Sequence, residues 1–126
     1  MNIFIVDDDL EFSEVVAGML VHVAGESSLQ VRYFTNAIEA INATSEEVPD
    51  LIFLDVLLDG PDGFTLLNEM QSYEDLAKVP VVLMTSLEFA EQDLSRYGVV
   101  AILNKSEMVP EQLSEIIEWR RRQGHD

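Results

Sequence analysis

Short, wholly apolar runs alternate along this chain with longer stretches whose apolar positions recur at helical spacing. That alternation predicts an α/β fold with parallel strands. Ile3 to Val6 reads as a first strand, followed by a helix over Leu10 to Val23 with Val15, Val16, Met19, Leu20 and Val23 on one stripe. Asp9 is placed to cap that helix, with Phe12 near its start. A second strand, Leu29 to Phe34, sets Gln30 and Arg32 against Leu29, Val31 and Tyr33, so one face is expected to be wet, as at a sheet edge. Asn36 opens a helix to about Thr44, which SEEVP ends. Leu51 to Leu54 has no polar residue and reads as a central strand. A Gly-, Pro- and Asp-rich loop (Asp59 to Gly63) leads to a helix over Phe64 to about Tyr73. Pro80 starts a strand over Val81 to Met84 that ends in Thr85 and Ser86. A helix over Leu87 to Tyr97 stops at Gly98, a fifth strand covers Val99 to Leu103, and a last helix runs from Glu111 to Arg122 with Leu113, Ile116, Ile117 and Arg120 on one side.

Five βα units account for the chain, so residues 1–126 are expected to form one domain, with no room for a second. Right-handed crossovers favour a doubly wound five-stranded parallel sheet of order 2-1-3-4-5. In that order the first and third strands lie side by side at the switch point, and ligands bind beyond the carboxyl ends of the strands. Asp7, Asp8, Asp55, Thr85 and Lys105 all fall on that rim.

Composition narrows the function further. The hydrophobic content of 48% with 25% charged residues is that of a globular chain, not a disordered one. There is no cysteine, so disulfides and thiolate metal sites are excluded. The first apolar run is interrupted by Asp7, so no signal peptide is read, and the helical run Val15 to Val21 is too short to span a bilayer. A cytoplasmic protein without a membrane partner is the expectation. The net charge of −17 repels phosphate backbones, which argues against direct nucleic-acid binding. Most of those acids read as a solvated surface.

The acids at strand ends are different. Asp7, Asp8 and Asp9 close IFIV, Asp55 closes LIFL, and Asp59 stands just beyond. Carboxylates that converge from neighbouring strands repel one another unless a cation arrives. Mg²⁺ favours oxygen ligands, accepts one or two carboxylates, and fills its other positions with water or phosphate oxygens. Asp8 and Asp55 meet that requirement. A carboxylate there can also act as a nucleophile toward phosphorus. Negative charge on the transferring group then calls for donors around it, a role open to Lys105 and to the Thr85 hydroxyl. Taken singly, Asp55, Asp7 and Asp8 could be turn or cap residues, Thr85 an ordinary strand end, and Lys105, one of two lysines, a surface cation.

The motifs IVDDD, LIFLDVLLDGPDGF, PVVLMTS and AILNKS, in that order, resemble those of receiver domains of two-component response regulators across essentially the full length. The resemblance implies the flavodoxin-like (βα)5 fold and a phosphoryl group accepted on Asp55 from a histidine kinase or a histidine phosphotransfer protein. It implies Mg²⁺ held by Asp8 directly, by Asp7 through water, by Asp55, and by the Leu57 backbone carbonyl. Thr85 would be the switch hydroxyl and Lys105 the partner of the phosphoryl group, with Asp62-Gly63 matching the family's turn. Such a protein is a substrate that assists its own modification, not a turnover enzyme. Its output would be a protein contact, at a face carrying Phe89, Ile102 and Trp119 on the helix of 87–97, the fifth strand and the last helix. For Ile102, core packing is an equal account.

Three positions depart from the family pattern. Ser106 follows the lysine where proline, in a cis bond, is usual; a cis bond before serine costs roughly 2.5–4 kcal/mol against about 1 or less before proline. The Lys105–Ser106 bond is therefore trans or strained. Ile102 replaces the aromatic switch residue, and the loop proline has moved to Pro61 with Asp59 in its place. Leu57 and Leu87 stand where polar residues position hydrolytic water, so slow loss of the phosphoryl group is expected. The alternative function is an interaction module of the same fold that no longer switches, which Ser106 and Ile102 favour. A phosphatase with an aspartyl nucleophile would carry an acid at Leu57, and a flavin site would need a Ser/Thr/Gly-rich loop where DDDLEF stands. His22 and His125 have no ligand partners in sequence, and Arg120 to Arg122 suit the end of a helix.

Overall fold

The computed structural model describes residues 1–25, 29–56, 63–85 and 97–123. Five strands, β1 (Asn2–Val6), β2 (Gln30–Phe34), β3 (Leu51–Asp55), β4 (Val81–Thr85) and β5 (Val99–Asn104), form one sheet. All pairings are parallel and the order is β2-β1-β3-β4-β5, as the crossover rule predicts. The described helices are α1 (Leu10–Ala24), α2 (Ala37–Thr44), α3 (Gly63–Gln71), α4 (Glu74–Ala77) and α5 (Pro110–Gln123). Of the helix expected over 87–97, residues 87–96 lie outside the described residues.

Successive strand residues point to opposite faces, so each central strand feeds two cores. Phe4, Val6, Ile52, Leu54, Val81 and Leu83 pack with α2 and α3. Ile3, Ile5, Phe53, Val82 and Met84 pack on the other face, where α1 and α5 lie. Burial on both faces is why β3 and β4 contain no exposed residue and read as unbroken apolar runs. At the amino end of the sheet, the Asp50 amide donates to the Asn2 carbonyl (2.8 Å) and the Asn2 amide to Asp50 Oδ2 (2.7 Å). Arg120 Nε donates to the Asp50 carbonyl at 2.8 Å, which ties α5 to that end.

Several expectations are corrected. On α1 the buried positions are Ser13, Val16, Ala17 and Leu20, the i, i+3, i+4, i+7 set, while Val15 is 53% exposed. On β2 Tyr33 is 43% exposed, and Arg32, its side chain 41% exposed, also lays its guanidinium 5.6 Å from the Phe4 ring centroid and 5.2 Å from that of Phe34. A long cation on an edge strand covers aromatic surface with its stem and gains a cation–π contact as well. The helix expected to reach Tyr73 ends at Gln71, and the unforeseen turn of α4 follows, burying Leu76. Asp9 does cap α1, its Oδ1 accepting the Phe12 amide at 3.1 Å, and Asn36 caps α2 through the Glu39 amide.

Candidate functional site

β1 and β3 pair in register from Ile3 with Leu51 to Val6 with Leu54, so the residues that end them, Asp7 and Asp55, emerge side by side. The ladder to β2 continues one step past β1, where the Asp7 amide donates to the Phe34 carbonyl at 2.9 Å. Asp7 is thereby fully buried, and Asp55 nearly so, while Asp8 on the next residue faces solvent. One carboxylate oxygen from each of Asp7, Asp8 and Asp55 falls within 4.8 Å of the others. Thr85 ends β4 beside β3 and is buried, and its carbonyl accepts the Lys105 amide at 2.8 Å.

Lys105 enters from the loop after β5. Its Nζ is 2.6 Å from Asp7 Oδ2 and 3.2 Å from Asp55 Oδ2. The Lys105–Ser106 bond is trans, as are all peptide bonds among the described residues. The lysine therefore reaches the acids without the family's cis proline. Asn104 supplies the turn instead: its Oδ1 accepts both the Ser106 amide (2.9 Å) and the Ser106 hydroxyl (2.7 Å). Nζ also lies 4.7 Å from the Phe12 ring centroid.

Among the described residues the cluster is short of positive charge: three carboxylates face one ammonium. Burial holds the Asp7 carboxyl above its ordinary pKa and Asp55 adds to this, although Lys105 and the Asp9 amide pull the other way. Burial would lower Lys105, but Asp7 and then Asp55 outweigh it, so the ammonium is held above its ordinary value. Asp7 Oδ2 is buried against the Lys105 ammonium at 2.6 Å and has no second partner among the described residues. Oxygen ligands only, an incompletely satisfied buried acceptor and excess negative charge are the donor set of a hard divalent cation.

The structure thus brings together Asp7, Asp8, Asp55 and Lys105, with Thr85 on the adjoining strand end. Leu57, Asp59, Pro61, Asp62, Leu87 and Phe89 lie outside the described residues. Ile102 is 40% exposed on β5, and Trp119 is half-buried on α5; the two are not joined in one packed core. Sequence reasoning missed Phe12 and Asn104 as neighbours of Lys105. For Asn104 a signal existed, since Asn two residues before Ser is turn chemistry; for Phe12 none did, because the contact joins α1 to a loop at the other end of the chain.

Residues 3–118 match the response regulator receiver domain, and the chain belongs to that family. It is 30% identical over 123 residues to the DNA-binding dual master transcriptional regulator RpaA of Synechocystis, covering 96% of this chain and 49% of that protein. It is 33% identical over 85 residues to the transcriptional regulatory protein GltR of Pseudomonas aeruginosa, covering 68% of this chain and 34% of that one. The chain spans about a third to a half of the length of these relatives. Among solved structures, a two-component response regulator from Clostridium difficile superposes with a TM-score of 0.79 at 25% identity, covering 100% of this chain and 99% of that one. A response regulator from Chloroflexus aurantiacus does so with a TM-score of 0.76 at 26% identity, over 94% and 95% of the two chains.

Proposed function

We propose that this receiver domain accepts a phosphoryl group on Asp55. The observation that carries the reading is the convergence of Asp7, Asp8 and Asp55 within 4.8 Å, with the Lys105 ammonium 3.2 Å from Asp55. An Asp55 carboxylate oxygen forms the new P–O bond while the donor's bond to phosphorus breaks, and the leaving group departs with the electron pair. The product is a mixed carboxylic–phosphoric anhydride. Lys105 turns from Asp55 toward a phosphoryl oxygen, and Thr85, at the end of the adjoining strand, supplies a hydroxyl. Asp7, Asp8 and Asp55, with the Leu57 carbonyl, would hold Mg²⁺, which would supply positive charge to the transferring group.

The donor in this reading is a phosphohistidine on a kinase or phosphotransfer protein. The modification shifts a two-state equilibrium and alters a contact surface that includes Ile102 and Trp119. The chain's own acidity disfavours direct contact of this portion with nucleic acid. Incubation with Mg²⁺ and acetyl phosphate followed by intact-mass measurement is the test. One phosphoryl adduct is expected on the wild type and none on Asp55→Asn. An unmodified wild-type chain would leave the non-switching interaction module as the better account.

A further inference from the structure

We propose that Phe12 is a positioning residue for the phosphoryl-binding cation: its ring, on the first turn of α1, holds the Lys105 ammonium in line with Asp7 and Asp55. This rests on Asp55 being the phospho-acceptor. Lysine carries its charge on a flexible four-carbon stem, so its usefulness here depends on what restrains the ammonium. The backbone at Lys105 is fixed by its amide on the Thr85 carbonyl and by the Asn104 turn, which the Glu107 amide also closes on the Asn104 carbonyl at 3.1 Å. Those bonds fix where the stem starts, not where it ends. The end is bounded by the Phe12 ring 4.7 Å from Nζ and by the two carboxylates at 2.6 and 3.2 Å.

A ring face attracts a cation through its quadrupole, and does so more strongly where water is excluded. Lys105 is mostly shielded, its side chain 18% exposed, so this contact is of the stronger kind. Phe12 is itself anchored. Its amide is the one that Asp9 caps, and its side chain packs against the core between α1 and α5. Asp9, Phe12 and Lys105 thus form a chain of contacts that ends at Asp55. When a phosphoryl oxygen draws the ammonium away from Asp55, the ring remains beside it, so the restraint serves the modified state too.

The test is the affinity for beryllium fluoride, a phosphoryl mimic, in Mg²⁺, measured for the wild type, Phe12→Leu, Phe12→Tyr, Lys105→Met and the double variant Phe12→Leu/Lys105→Met. Phe12→Leu keeps an apolar side chain and removes the ring face; it is expected to weaken binding about five- to tenfold. Phe12→Tyr keeps the ring and should stay within about twofold of the wild type. In the Lys105→Met background, Phe12→Leu should cost nothing further, because the cation it restrains is gone. Unchanged binding by Phe12→Leu, or an equal loss with and without Lys105, would show that the ring merely packs and would overturn the proposal. A second readout does not depend on phosphorylation. In the metal-free protein the ring current of Phe12 should shift the Lys105 ε-methylene proton signals, and Phe12→Leu should return them to ordinary lysine positions. Identical signals in the two proteins would also overturn it. A wild type that shows the ring-current shift but binds no beryllium fluoride would sink the phospho-acceptor reading and leave the ammonium's placement standing.

Discussion

Replacing Asp7 by asparagine should make the metal-free protein more stable, although it deletes a buried charge that contacts a lysine. Asp7 meets Asp55 within 4.8 Å, a gross repulsion of about 3.5 kcal/mol at an effective dielectric near 20. Asp8 adds less, because it is exposed and screened. Lys105 at 2.6 Å returns about 6 kcal/mol of gross attraction on the same scale. These opposing Coulomb terms leave about 2.5 kcal/mol of gross attraction before Asp8 is counted, and the cost of stripping water from a fully buried carboxylate, several kcal/mol per ion, outweighs it. That burial holds the Asp7 pKa above its ordinary value agrees with this balance. The amide of Asp7→Asn would keep the shape and lose the burial cost, while Lys105 keeps Asp55. A gain of about 2 kcal/mol, or about 6–10 °C in Tm for a domain of this size, is expected in EDTA.

The pH dependence checks the cause. A carboxyl whose folded pKa is raised binds its proton more tightly in the folded state, so its contribution is favourable at low pH and is lost as pH rises above about 3.8 through the folded value. Below that window a protonated Asp7 and an asparagine are equivalent, and the advantage of Asp7→Asn should vanish. Lys105 does not confuse the result, since its raised value places its loss above pH 10.5. Urea denaturation across the acid range is the assay. Saturating Mg²⁺, about 2.7 kcal/mol of stabilisation at a hundredfold excess over Kd, should reverse the order by stabilising the wild type alone. If Asp7→Asn were less stable than the wild type in EDTA at neutral pH, the account of a charge-starved site would be wrong.

Other consequences are simpler to read. Arg120→Ala removes the Nε bond to the Asp50 carbonyl and the contact to its carboxylate, and should cost about 1.5–3 kcal/mol by urea melt, with no change in the acetyl phosphate reaction. Lys105→Met should leave Mg²⁺ binding intact and slow phosphorylation by acetyl phosphate at least tenfold, as followed by intact mass. The family resemblance sets the apolar Leu57 and Leu87 at the sequence positions of residues that assist hydrolysis, so the adduct should survive for minutes or longer in Mg²⁺ after the donor is removed; decay within seconds would refute it. Ile102→Tyr, at a position already 40% exposed, should change stability by less than about 0.5 kcal/mol.

What the linear sequence discloses here follows from the physics of each feature. β1, β3 and β4 were legible because two-faced burial confines polar residues to the strand ends, at Asn2, Asp55 and Thr85, and their order follows from the handedness of crossovers. Once the order is known, the rim acids must meet, whatever their distance along the chain. β2 was only half legible, because a solvated cation on an edge strand can also cover aromatic rings: Arg32, its side chain 41% exposed, lies over Phe4 and Phe34. Lys105 shows the deeper difficulty. Ser106 in place of proline casts doubt on its reach only if the backbone isomer is the sole means of aiming it. The fold aims it by other means, through a turn that Asn104 closes locally and a ring that α1 brings from residue 12. The turn is a short-range signal and could have been read. The ring is a tertiary contact with no local signature, so a departure that puts the reach of Lys105 in doubt along the chain does not keep its ammonium from Asp7 and Asp55 in the fold.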